Sequence, residues 1–125
     1  MESTKKRAGS TQQVPSDIIA EAGALASVLG ATDGTNGEKL KSLTAADFHD
    51  LRHVEIFRAL KSLEEDCELL NIISLAQRLH DNGSTDGAGG FDYIQNLPDA
   101  TPSPENFSVW LARVRDFAAR RALIS

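Results

Sequence analysis

After Pro15, apolar residues recur at helical spacing along nearly the whole chain, and nowhere do they alternate with period two over a strand's length. Ile18, Ala22, Leu25 and Leu29 stand four, three and four residues apart, which predicts a first helix capped by Asp17. Gly30, Gly34 and Gly37 predict its end and a loop, followed by a short helix over residues 38–42. Thr44, with Asp47 three residues on, reads as a capped turn. Asp50 then caps a long helix to about residue 65, with Leu51, Val54, Phe57, Leu60 and Leu63 as its stripe and Ile56 widening it. Glu64, Glu65, Asp66 and Glu68 crowd the carboxyl end of that helix, the unfavourable end of the macrodipole, so it either frays or meets a basic neighbour.

Asn71 reads as the cap of a helix over residues 72–80 whose inward positions are Ile72, Leu75, Ala76 and Leu79. Residues 82–90 read as a flexible glycine-rich connection. Phe91, Tyr93, Ile94 and Leu97 make a short apolar turn that stops before Pro98. Ser103 as cap, Pro104 at the first helical position and Glu105 in the first turn start the last helix, with Phe107, Trp110, Leu111, Val114, Phe117 and Ala118 along one broad side. No glycine follows Arg120, Arg121, Ala122, Leu123 and Ile124, which predicts a helix continuing past Ser125. The pattern is that of an all-α domain of five or six helices over residues 15–125, preceded by a disordered leader over residues 1–14.

At 125 residues there is room for one hydrophobic core. No apolar run approaches the length of a membrane span, and no apolar stretch follows Lys5, Lys6 and Arg7 as a secretory signal requires. The single cysteine, Cys67, has no internal disulfide partner, which fits a reducing cytoplasm. The net charge of -5 is unevenly spread: the leader is positive and the body is acidic. An acidic body repels phosphate backbones, so contact with DNA is expected to be weak or absent, and the basic leader reads as a solvated tail.

Catalytic chemistry finds little support. A nucleotide motor needs Gly-x-x-x-x-Gly-Lys with a following Ser or Thr, and the chain contains no Gly-Lys pair. His49 and His53 are four apart but have Asp50, not glutamate, after the first, and a helix boundary is expected between them, so they read as ordinary histidines. Cys67 sits among acids that disfavour its thiolate. Neither a catalytic residue nor a cofactor or metal site is assigned. The last helix carries the most information: its apolar side is wider than a coiled-coil seam. Either it packs on its own core or it partly faces another chain, and the residues alone leave both open.

Pro15, Ala20, Glu21 and Leu25 are followed by Asp47 and Phe48, then His53, then Ile56 and Phe57. The helix ending at Leu79 follows, then Gly89, Gly90, Tyr93 and Leu97, then Thr101, Pro102, Asn106, Trp110, Val114, Arg121 and Leu123. In this order and spacing the chain resembles the amino-terminal domain of DnaB-type replicative DNA helicases. Ala26 replaces the usual glycine and Asn71 the usual aspartate.

The resemblance implies a non-catalytic docking and oligomerisation domain in the collar of a hexameric helicase. It implies contact with primase or other replication proteins, self-association, and a last helix that is the first arm of a helical hairpin. On this footing Phe107, Leu111, Val114 and Ala118 are expected to belong to a self-association surface. The ATP- and Mg-dependent helicase motor would lie in a separate domain of the parent protein. A stand-alone regulator of a helicase or primase on the same fold is the alternative, and a nucleic-acid-binding protein using the basic leader is a third reading.

Overall fold

The computed structural model describes residues 17–101 and 104–124. The leader expected over residues 1–14, the domain's opening at Pro15 and the cap expected from Ser103 lie outside these residues. Among the described residues no strand forms, and six α-helices follow one another: α1 (Ile18–Gly30), α2 (Asn36–Lys41), α3 (Leu51–Glu65), α4 (Ile72–Asp81), α5 (Phe91–Asn96) and α6 (Phe107–Ile124). Single turns of 3-10 helix lie at Ala45–Asp47, Leu97–Ala100 and Pro104–Asn106.

The helix starts are set locally. Asp17 accepts from Ala20 N at 3.0 Å, Asp50 from Arg52 N at 2.9 Å and Asn71 from Ser74 N at 2.8 Å. Each satisfies an amide that the first turn leaves without a partner. Thr44 and Asp47 close a reciprocal capping box. The first helix keeps Gly30 as its last residue, and α2 begins earlier than expected, so that Gly37 is helical. The cause is Asn36: its side-chain amide donates to Val28 O at 2.6 Å and Ala31 O at 3.1 Å, binding the carbonyls that a glycine cap would otherwise serve.

Helix α1 is the centre of the domain. Every residue from Ala20 to Leu29 is buried except Ala22, which is half-buried. Small residues let neighbours come close on several sides, and α6, α3 and the turn at Leu97–Ala100 all pack on it. Ile56, Leu60, Leu63, Leu75, Leu79, Ile94 and Val114 complete the core. Leu51, expected in the stripe of α3, is instead 78% exposed. At 3.6 residues per turn it lies on the far side of the helix from Ile56, and the inward place in the first turn belongs to His53.

Two connections are more structured than their composition implies. Residues 82–90 fold into successive turns closed by Ser84 N to Leu79 O, Ala88 N to Ser84 O and Gly90 N to Thr85 O, with Ala88 fully buried. Gly89 and Gly90 carry φ of 104° and 92°, a region open to glycine at little cost. The chain also does not stop before Pro98. It passes through the proline as a 3-10 turn, because a residue in the first turn needs no amide donor.

The acidic end of α3 does meet a basic neighbour: Arg78 of α4 pairs with Asp66 at 3.0 Å and bonds Ser62. That end closes with Cys67 N donating to Glu64 O and Glu68 N to Leu63 O, which places Cys67 in the left-handed region at φ 58°. A side chain there carries a steric cost that glycine escapes. Cys67→Gly is therefore expected to stabilise the domain by about 0.5–1 kcal/mol. Urea unfolding checks it; an unchanged or lowered midpoint contradicts the strain argument.

Candidate functional site

Three polar side chains from three helices meet inside the domain. Glu21 of α1 is 1% exposed and His53 of α3 is 0% exposed. The Glu21 carboxylate accepts from His49 N at 2.9 Å, Asp50 N at 3.2 Å and His53 Nδ1 at 2.8 Å. On the other side of the ring, His53 Nε2 lies 2.5 Å from Tyr93 Oη of α5. Burial pushes the Tyr93 phenol pKa up, so the hydroxyl keeps its proton and donates it to Nε2. The imidazole proton then sits on Nδ1, facing Glu21. Every oxygen and nitrogen in this chain of bonds is used internally, which is how a buried carboxylate becomes tolerable.

The network is extended at its outer edge. Arg52 forks onto Asp50, Nε to Oδ1 at 3.0 Å and a terminal nitrogen to Oδ2 at 2.6 Å, and lies 4.3 Å over the Tyr93 ring. The Arg52 hydrogen bond holds the Asp50 carboxyl down at about 2. Acid, imidazole and hydroxyl in series are the parts of a proton relay, but here they clamp α1, α3, α5 and the strand-like entry to α3 together. His49 is exposed while its amide serves Glu21, and the start of α3 separates it from His53. The two histidines therefore share no face. Among the described residues no three His, Cys, Asp or Glu side chains gather as a metal cage.

The residues expected to form a self-association surface are divided by the structure. Phe107 and Val114 are buried in the chain's own core, at 8% and 1% exposure, and are not part of an outer surface. Leu111 and Ala118 are half-buried at its edge. The reason is α1: its small residues admit α6 so closely that Trp110 lies on Gly23, with its Nε1 donating to Thr101 Oγ1 at 3.2 Å. Arg113 bonds Asp17 at 2.7 Å and Arg121 bonds Ala46 O at 3.0 Å, fastening α6 along its length. Val109 near the start of α6 and Leu123 and Ile124 at its end are exposed, at 56%, 86% and 64%. Sequence reading gave none of these three a place in the surface: Val109 and Leu123 stand off the main stripe, and Ile124, seven residues past Phe117, continues its edge at the end of the helix.

The six α-helices among the described residues fit the all-α domain of five or six helices that the sequence implied, and comparison with known proteins agrees. A family model described as the DnaB-like helicase N terminal domain matches residues 13–116. The chain belongs to this family. Replicative DNA helicase DnaB of Treponema pallidum is 32% identical over 110 residues, which are 88% of this chain and 25% of that protein. DnaB of Haemophilus influenzae is 28% identical over 125 residues, covering all of this chain and 26% of the relative. The solved N-terminal domain of DnaB helicase from Mycobacterium tuberculosis superposes with a TM-score of 0.80 at 26% identity, covering 90% of this chain and 79% of that one. The chain thus spans about a quarter of the length of these DnaB relatives. Glu21, His53 and Tyr93, three of the residues that carried the resemblance to the DnaB family, are the three that meet in the buried network. Among the described residues no helix is long and apolar enough to cross a membrane.

Proposed function

We propose that this chain is a non-catalytic docking and oligomerisation domain of a replicative DNA helicase, belonging to the collar of the hexamer and contacting primase. Membership of the DnaB N-terminal family and the length relation to DnaB helicases support the assignment. In the parent protein the remaining length would supply the ATP- and Mg-dependent motor, consistent with the lack of a phosphate-binding loop in this segment. The observation that carries the reading is the two-sidedness of α6. One side is committed to the domain's own core, and a second apolar set, Val109, Leu123 and Ile124, is left facing outward. Isolated exposed apolar residues are ordinary, but the adjacent pair Leu123 and Ile124, at the end of a helix whose inner side is already satisfied, offers a partner subunit an apolar contact. Val109 stands about four turns away, and half-buried Leu111 and Ala118 lie on the inner side.

Light scattering over a concentration series tests the assembly. The chain is expected to self-associate, and Leu123→Asp with Ile124→Asp is expected to return it to monomer with the melting curve unchanged, because both residues are exposed. Titration with the carboxyl-terminal region of a primase is expected to give saturable binding. A strict monomer at high concentration that also ignores primase would overturn the reading.

A further inference from the structure

Outside α6, two large apolar side chains are exposed across one cleft. Ile73 of α4 is 78% exposed and Phe91 of α5 is 60% exposed. They line a cleft of ≈ 600 Å³ together with Ala76, Gln77, His80, Thr85, Ile94 and Gln95. Ile73, Ala76, Gln77 and His80 are one ridge of α4 at spacings of three, one and three; Phe91, Ile94 and Gln95 are the facing ridge of α5. Ile94, 1% exposed, forms the floor. Two ridges facing each other across an apolar floor have the shape that receives a third helix, whose own side chains at i, i+3, i+4 and i+7 fit between them.

The charge around the cleft selects the helix. Asp81, Asp86 and Asp92, each beside a lining residue, are exposed. Among the described residues no lysine or arginine lines the cleft, and Arg78 on the same helix is turned toward α3, where it bonds Ser62 and Asp66. We infer that the α4–α5 cleft is a docking groove for a cationic amphipathic helix of a partner protein. Apolar residues of that helix occupy the trough between Ile73 and Phe91, and its lysines and arginines meet the aspartate rim. This deepens the docking reading and rests on it, but on a surface separate from α6.

A fluorescent helical peptide of about 14 residues, leucine at i, i+3, i+4 and i+7 with lysines flanking them, is the probe. Titrated into the full chain and followed by anisotropy, it is expected to bind saturably, and more weakly as salt rises. Ile73→Ser and Phe91→Ser each weaken it about tenfold while leaving the net charge and the melting curve unchanged. Asp81→Asn with Asp92→Asn also weakens it, and a peptide with glutamate in place of lysine does not compete. The inference is overturned by absent binding, or by binding that Ile73→Ser and Phe91→Ser leave intact, since attraction to the acidic body alone would behave so. It is equally overturned if those substitutions dissolve a self-associated form, which makes a second copy the occupant. Binding that appears only after removal of residues 1–14 overturns it too, because the chain's own leader then fills the groove. Failure here leaves the α6 assembly experiment unaffected, so the two readings fall separately.

Discussion

His53→Ala is expected to lower the unfolding free energy by about 3–5 kcal/mol, the range for truncating a large buried ring and leaving a buried carboxylate short of a hydrogen bond. Two costs combine. A cavity opens where a fully buried ring stood between Phe48 and Tyr93. More important, Glu21 stays buried with His49 N and Asp50 N but without its side-chain partner, and Tyr93 loses the acceptor for its hydroxyl. Tyr93→Phe removes only the outer bond and keeps the ring, so its cost is about 1 kcal/mol. Denaturant unfolding followed by the fluorescence of Trp110, the only tryptophan, reads both variants. Because Glu21 and His53 are in direct contact, the double variant Glu21→Ala with His53→Ala should cost less than the two single changes together. A loss below about 1 kcal/mol for His53→Ala, or strict additivity in the cycle, would show that the network does not hold α1, α3 and α5 together.

Such a clamp fixes the helices from inside and so holds the proposed docking surfaces in place. Glu21 and His53 are turned inward to fix helix positions, and the outward features are the exposed apolar residues of α6 and the trough between α4 and α5 with its exposed aspartates. A docking domain needs those shapes held rigidly, since a partner's affinity falls with every rotamer and helix angle that must be ordered on binding.

The local signals were legible in the sequence. Asp17, Asp50, Asn71 and the Thr44–Asp47 box each act on an amide two or three residues away, so spacing alone locates them. The long-range pairings were not, because Glu21 and His53 are separated by 32 residues and no period links them. Only the family resemblance named both, and it did so without joining them. Leu51 shows the limit of reading a stripe by residue type: an apolar side chain was placed inside, whereas the buried position two residues on holds an imidazole. The stripe of α6 shows another limit. Periodicity reports that a face is apolar, not whether the partner is the chain's own α1 or a second subunit. The cleft had a faint signal in Ile73, an apolar residue standing off the inward side of α4, but its counterpart Phe91 comes from another helix.

Gly23→Ala is expected to destabilise the domain by about 1–2 kcal/mol, although alanine is the better helix former by nearly 1 kcal/mol. A Cβ on Gly23 would stand 2.6 Å from Trp110 Cε2 and 2.7 Å from Cδ2, separations that real atoms do not reach. The rigid indole must move, and it is held by Thr101 at one end and by the backbone of α6 at the other. Moving it lifts α6 from α1, and with it Phe107 and Val114 from the core. The sign is therefore conditional on the tryptophan. In a Trp110→Ala background, itself expected to cost about 3 kcal/mol or more, the same Gly23→Ala change no longer meets the indole and should stabilise the helix by up to about 1 kcal/mol. Circular dichroism melts of the four proteins read the cycle without relying on the indole. Gly23→Ala stabilising both backgrounds would mean that α6 does not rest on the bare backbone of α1, and the division of its two faces would have to be redrawn.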